Sequence, residues 1–92
     1  MTSPARRLRD LRNLGVKTEE ALAQLGILTP SQLLQSDPFV VYAQLKKQVP
    51  GTSLVALYAL IGAIDDLPWL DIKRERRTEI LVRLDDMGIA PK

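Results

Sequence analysis

Residues 11–18, with the sequence Leu-Arg-Asn-Leu-Gly-Val-Lys-Thr, combine the residue types best suited to holding a ligand, and the chemistry that they predict is phosphate contact. Gly15 lets another molecule approach the backbone closely, because it has no side chain. The free amides of a tight turn beside a helix N-terminus can point at an anion. Lys17 would add a positive charge at the same place, and Leu14 would pack into the core and hold the turn.

The same segment resembles a helix-hairpin-helix motif, in which a Gly-apolar-Gly turn joins two short helices and is often followed by Lys-Thr. Asn13 takes the place of the first glycine. Asparagine tolerates the left-handed backbone region better than other non-glycine residues, so we expect the turn to be kept. The alternative is that Gly15 only separates two packed helices and that Lys17 is ordinary surface. The residues predicted to contact nucleic acid are Arg9, Arg12, Asn13, Gly15, Lys17 and Thr18.

Positive charge is concentrated around this turn, although the net charge of the chain is only +2. A basic leading segment on an otherwise balanced domain suits contact with a polyanion. The alternative is a solvated first helix whose arginines aid solubility. The charged residues of the first 17 positions are Arg6, Arg7, Arg9, Arg12 and Lys17, against a single acid, Asp10.

The composition argues against catalysis. The chain contains no cysteine and no histidine, which removes disulfides, thiolate metal sites, the commonest general base and the commonest metal ligand. Serine and threonine hydroxyls would therefore have no histidine or cysteine to activate them as nucleophiles. We expect a protein that is not an enzyme and that uses no metal and no cofactor.

Hydropathy gives no sign of a membrane segment or of secretion. No stretch approaches 18 apolar residues, which is about the shortest run that crosses a bilayer. Residues 1–4 lack the apolar run of a signal peptide. We therefore expect a cytoplasmic protein without membrane contact.

The elements that must position the turn are predicted to be helical. Leu8, Leu11 and Leu14 recur at a spacing of three and predict a short, arginine-rich first helix. Thr18 is a suitable N-cap for a second helix, which is expected to end at Gly26.

Two cap-then-proline pairs, Thr29-Pro30 and Asp37-Pro38, predict the starts of a third and a fourth helix. Gln32 completes a capping box with Thr29. The fourth helix is expected to run to about residue 48, before a Pro-Gly turn. Its predicted apolar face consists of Val41, Tyr42, Leu45 and Val49.

The fifth helix is predicted to be the centre of the core. Ser53 would cap it, and it would run from Leu54 to about Asp65 with apolar residues on every face. A helix that is apolar all round is buried all round. A sixth helix is expected between an N-cap at Asp71 and a stop at Gly88. Its predicted inner stripe consists of Ile72, Ile80, Leu81, Leu84 and Met87.

Three further features receive structural interpretations. Trp69 lies among apolar neighbours and is expected to anchor the core. Asp65 and Asp66 fall at a helix C-terminus, where the helix dipole disfavours acids. Such a conflict can mark a site, but we expect these acids to pair with nearby arginines. The basic cluster at residues 73–77 is expected to form a solvated, salt-bridged face.

Six short segments and one tryptophan together carry a resemblance along most of the chain. They are Leu-Arg-Asn-Leu-Gly-Val-Lys-Thr-Glu at 11–19, Leu-Gly-Ile-Leu-Thr at 25–29, Tyr-Ala-Gln-Leu-Lys at 42–46, Ser-Leu at 53–54, Leu-Tyr-Ala-Leu at 57–60, Gly-Ala at 62–63, and Trp69. From about residue 8 to residue 84, the chain resembles the C-terminal domain of the TfoX (Sxy) competence regulators of bacteria. The resemblance implies a compact helical domain without catalytic residues. Full-length members also carry a separate N-terminal domain and positively regulate genes for DNA uptake and natural transformation.

The sequence therefore predicts that residues 1–92 form one all-α domain, a compact bundle of five to six short helices with a degenerate helix-hairpin-helix at its N-terminus. Our hypothesis is a regulatory domain in transcription or competence regulation that contacts the nucleic-acid backbone through residues 13–18 and the arginines before them. The alternative is a protein-interaction module that binds a protein partner or a second copy of itself without touching nucleic acid.

Overall fold

The computed structural model of the protein describes residues 7–89, and these residues form an all-α fold without a strand, as predicted. A single 3-10 turn, Leu8–Asp10, precedes five α-helices. The helices are α1 (Val16–Gln24), α2 (Pro30–Leu34), α3 (Pro38–Gln48), α4 (Leu54–Asp65) and α5 (Trp69–Asp86).

The predicted arginine-rich first helix is wrong, because residues 8–14 form 3-10 geometry and a turn instead. Backbone bonds run from Leu11 to Leu8 (3.0 Å) and from Leu14 to Leu11 (3.2 Å), each three residues apart. A leucine spacing of three matches the period of a 3-10 helix, in which such residues lie on one face. Asn13 then ends the segment, because its φ of 72° is positive and residues in a right-handed helix have negative φ.

The predicted N-cap of the next helix is also wrong, since α1 begins three residues earlier. Gly15 is the N-cap, with extended φ and ψ of −125° and −171°, and Thr18 lies inside the first turn. The end of α1 agrees with the prediction. Gly26 has a φ of 82°, and the amide of Ile27 donates to the carbonyl of Leu22, as in a glycine-stopped helix.

The caps of α2 and α3 are as predicted. The Oγ1 atom of Thr29 accepts from the amide of Gln32 at 3.2 Å, and Gln32 Oε1 accepts from the amide of Thr29 at 3.1 Å. Asp37 accepts from the amide of Phe39 at 2.9 Å. These two short helices are therefore fixed by local signals that lie within three residues of each start.

Helix α4 is the centre of the core, which confirms the prediction from its all-round apolar sequence. Every residue from 57 to 63 is buried, and α4 packs mainly against α5 and α3. The helix reaches solvent at its two ends, where Val55 is 43% exposed and Asp65 is exposed. The hydroxyl of Tyr58 is buried on this helix and has no hydrogen-bond partner among residues 7–89.

Helix α5 covers α4 with Ile72, Ile80 and Leu84, which are buried as predicted. The prediction is wrong for Met87, which is 38% exposed at the end of the helix. It is also wrong for the start of the helix, because α5 begins directly after Pro68 rather than after Asp71. Pro68 has an extended backbone and no amide hydrogen, so it suits the position before a first helical turn.

Trp69 is half-buried at the start of α5 and packs against the core, as expected for an anchor.

No helix in residues 7–89 combines the length and the hydropathy that a membrane crossing requires.

Candidate nucleic-acid interface

The turn at residues 13–15 obtains its positive φ from Asn13 and not from its glycine. Asn13 has a φ of 72°, at the position where the hairpin motif has its first glycine. Gly15 has an extended backbone that any residue adopts, and a Cβ atom there would meet nothing within 4 Å. Gly15 therefore matters as an open position in front of α1 and not as a conformational necessity.

The side chain of Asn13 is bonded to a distant part of the chain. Its Nδ2 atom donates to the carbonyl of Leu67 at 2.8 Å, and its Oδ1 atom accepts from the amide of Trp69 at 3.1 Å. Residues 66–68 join α4 to α5, and we call them, together with Trp69 at the start of α5, the α4–α5 corner. Gly62 of α4 leaves room for this contact, because a Cβ atom on it would collide with Asn13 and with the carbonyl of Leu67. Asn13 thus fastens the turn to the core.

Arg9 also forms hydrogen bonds within the domain, to Glu19 of α1. Its Nη2 and Nε atoms donate to Oε1 of Glu19 at 2.6 and 3.1 Å, and its backbone amide donates to Oε2 of the same carboxylate at 3.1 Å. The side-chain hydrogen bonds from Arg9 lower the pKa of Glu19 and raise the pKa of Arg9. The ion pair between Arg9 and Glu19 links the 3-10 turn to α1.

Arg12 forms a looser pair with the α4–α5 corner. Its Nε atom lies 3.1 Å from Oδ1 of Asp66, and the two side chains are 49% and 84% exposed. Asp66 ends α4 in the left-handed region, with a φ of 57°. Asp65, the preceding residue, pairs with Arg76 of α5 at 2.9 Å. Both acids of this helix end therefore pair with arginines, as the sequence predicted.

The N-terminus of α1 is the part of the predicted site that faces solvent without internal partners among residues 7–89. Gly15 provides no side chain to cap it, and no side-chain cap bond is formed. Val16, Lys17 and Thr18 occupy the first three helical positions, where the backbone amides have no acceptor within the helix. The Lys17 side chain is exposed at the same end.

Lys17 and Thr18 line an open cleft of about 420 Å³ between α1, the end of α3 and the start of α4. Ser53, the N-cap of α4, also lines the cleft, and its side chain makes no cap bond. Residues from the first turns of two helices therefore line one cleft. The remaining lining residues are Ala21, Leu45, Val49, Pro50, Gly51, Thr52 and Ala56.

The structure thus divides the predicted site into two halves. Gly15, Lys17 and Thr18 lie together at the exposed helix end, whereas Arg9, Arg12 and Asn13 are bonded to other parts of the domain. Arg6 lies outside the described residues, and Arg7 is exposed. Gly62, Ser53 and Asp66 also lie beside the predicted residues, and the sequence alone does not place them there. A glycine in the middle of an otherwise apolar helix is the one local signal that pointed to a close contact.

Fold and site together define a small all-helical domain whose N-terminal turn is fastened to the corner between its last two helices. The model of the TfoX C-terminal domain family matches residues 4–84, and the chain belongs to this family. A crystal structure of an uncharacterized protein from Listeria monocytogenes, in a triclinic form, shares the fold with a TM-score of 0.77. The two sequences are 23% identical, and the likeness covers 94% of this chain and 99% of that one. No curated protein matches the sequence.

Proposed function

We propose that this domain contacts the sugar-phosphate backbone of nucleic acid through the N-terminus of α1, as a regulatory module without catalytic activity. The observation that carries the proposal is the uncapped start of α1, where free amides lie beside Lys17 at the edge of the cleft shared with α4. Backbone amides at a helix N-terminus, together with a lysine, form a binding geometry for a phosphate oxygen.

Membership of the TfoX C-terminal domain family supports the regulatory half of the proposal. Full-length regulators of this kind act on genes for DNA uptake, and we propose that this domain serves transcription or competence regulation in a bacterial cytoplasm. The absence of cysteine and histidine from the sequence supports a role in binding rather than in chemistry.

The contact surface is small, and this sets the affinity that we expect. Arg9 donates three hydrogen bonds to Glu19, whereas Arg12 donates one to Asp66 in a more exposed pair. We therefore take Lys17 and Arg12 as the predicted cations that reach phosphate. Roughly two phosphate contacts give a log–log slope of affinity against salt of about −2 on duplex DNA. The dissociation constant should fall in the non-specific range, about 10⁻⁴ to 10⁻⁶ M, and should vary little with base sequence.

The test is a titration of labelled duplex DNA at a low and a moderate salt concentration. Lys17→Glu should weaken binding to all duplexes alike, because a phosphate contact carries no base information. Arg77→Glu is the matched control, since it makes the same charge change on an exposed residue of α5 that does not line the cleft. It should lower affinity less than Lys17→Glu does.

The opposite results would favour the protein-interaction alternative. These are a lack of binding at low salt, or equal losses for Lys17→Glu and Arg77→Glu. Sedimentation of the free domain over a range of concentrations then shows whether the partner is a second copy of the chain.

A further inference from the structure

We propose that Asp66 competes with phosphate for the guanidinium of Arg12. The presence of this acid in the α4–α5 corner thereby lowers the affinity of the domain for nucleic acid. This inference rests on the proposed function and concerns the regulation of the same surface. It assigns a role to an acidic residue that touches the predicted contact segment from a position 54 residues away in sequence.

The fold holds the carboxylate of Asp66 next to Arg12. The Nε–Oδ1 distance is 3.1 Å. The residue after Arg12 is Asn13, and its side chain is bonded to Leu67 at 2.8 Å and to Trp69 at 3.1 Å. Leu67 directly follows Asp66 and Trp69 lies three residues after it, so the two chain segments cannot separate without breaking these bonds. The acid is therefore kept within reach of Arg12 by the backbone.

The local backbone at position 66 does not favour a charged acid. The residue lies at the C-terminus of α4, where the helix dipole disfavours negative charge. Its φ of 57° is the left-handed conformation, which glycine and asparagine adopt at least as well as aspartate. The property that distinguishes aspartate from asparagine here is its charge, and the charged group that it contacts is Arg12.

A phosphate can replace Asp66 as the partner of Arg12. Arg12 and Asp66 are 49% and 84% exposed, and ion pairs of such exposure are weak because water and salt screen them. Guanidinium and phosphate form charge-assisted, often bidentate hydrogen bonds, which are among the stronger ones. Binding to a nucleic-acid backbone would therefore transfer Arg12 from Asp66 to a phosphate. Loss of the carboxylate should make that transfer easier.

Asp66→Asn is the informative variant, because it removes the charge and keeps a residue that tolerates positive φ. We expect it to bind the same labelled duplex DNA about two to five times more tightly than the wild type at low salt. Its log–log salt slope should stay near about −2, because Lys17 and Arg12 meet the phosphates in both proteins and only the competition for Arg12 differs. A thermal melt of the variant checks that the fold is kept.

Two controls separate this competition from a general gain of positive charge. Asp86→Asn removes one exposed acid at the other end of α5, about 25 Å from Trp69 along the helix. It should raise affinity less than Asp66→Asn does. In the background of Arg12→Gln, Asp66→Asn should give no gain beyond that of Asp86→Asn, because the contested guanidinium is gone.

The outcomes distinguish the two proposals. If neither the wild type nor Asp66→Asn binds duplex at low salt, both the proposed function and the competition are overturned. If the wild type binds, but Asp66→Asn binds no more tightly than Asp86→Asn, the competition alone is wrong. It is equally wrong if the full gain persists without Arg12.

Discussion

The side chain of Asn13 fills the space that a Cβ atom on Gly62 would need. The two residues belong to distant segments, the N-terminal turn and the buried middle of α4. A Cβ atom at position 62 would also collide with the carbonyl of Leu67, which is the acceptor for the Asn13 amide. The absence of a side chain at Gly62 is therefore a condition for the hydrogen bonds that hold the turn against the α4–α5 corner.

Gly62→Ala should destabilise the protein, although alanine normally favours a helix interior by about 1 kcal/mol over glycine. The added methyl group must displace either Asn13 or the backbone of Leu67, and overpacking of this kind typically costs about 1–3 kcal/mol. Urea unfolding followed by Trp69 fluorescence gives the free energy of unfolding of the wild type and the variant. Equal or greater stability of Gly62→Ala would contradict the contact.

A second variant shows that the loss arises from Asn13. Asn13→Gly keeps the positive φ of 72° but removes both hydrogen bonds to the corner, so it should itself lose about 1–2 kcal/mol. Gly62→Ala should cost less in this background than in the wild type, because one of the two colliding groups is absent. Strict additivity of the two changes would mean that the residues do not share the contact.

The starts of α2, α3 and α4 could be read from the sequence, because the information is local. Thr29-Pro30, Asp37-Pro38 and Ser53 lie directly at the helix starts that they predicted. The all-round apolar run of α4 likewise identified the buried helix. The N-terminal segment was mispredicted because a leucine spacing of three fits a 3-10 turn as well as an α-helix, and only the observed backbone decides between them.

The contacts of the predicted site residues could not be read from the sequence, because their partners are remote in sequence. Asn13 contacts residues 54 and 56 positions away, and no local pattern announces such a contact. A count of basic residues also treats Arg9 as available, whereas Glu19 holds it at 2.6 Å. Ion pairing across a turn depends on tertiary geometry. The sequence therefore names candidate residues, and the structure separates those bonded within the domain, Arg9, Arg12 and Asn13, from those at the exposed start of α1.

Core truncation should show the central position of α4. Leu57→Ala and Leu60→Ala each remove a fully buried side chain and should lower the free energy of unfolding by about 2–5 kcal/mol. Val55→Ala is the control on the same helix, since Val55 is 43% exposed, and it should change stability by less than about 0.5 kcal/mol. Similar melting temperatures for all three variants and the wild type would contradict the assignment of the core.

Tyr58→Phe should make the protein more stable. The hydroxyl of Tyr58 is buried and has no hydrogen-bond partner among residues 7–89, so no contact in this part of the chain offsets the cost of its burial. Removal of one oxygen leaves the packing of the ring unchanged, and the gain should be about 1–3 kcal/mol. Calorimetric melting of the two proteins measures this. A lower melting temperature for Tyr58→Phe would show that the hydroxyl is hydrogen-bonded, for example to an internal water molecule.

The pair between Arg9 and Glu19 should make part of the stability depend on pH. Hydrogen bonds from Arg9 lower the pKa of Glu19 below its ordinary value of 4.5. A carboxyl group whose pKa is lowered on folding stabilises the native state above its unfolded pKa, and this contribution disappears as the pH falls through its folded pKa. Glu19→Gln should therefore melt below the wild type at pH 7. The difference should begin to narrow near pH 4.5 and should close as the pH falls further.

Glu20→Gln is the matched control for this measurement, because it removes the neighbouring exposed carboxylate, which does not hydrogen-bond Arg9. Across the range from about pH 7 to pH 3 its melting temperature should stay close to that of the wild type, whereas Glu19→Gln should lie below the wild type at pH 7 and approach it at low pH. A gap between Glu19→Gln and the wild type that stays constant across this range would mean that packing, and not the charge of Glu19, links the 3-10 turn to α1. Identical melting curves at pH 7 would mean that the ion pair contributes nothing, as is the case for many exposed pairs.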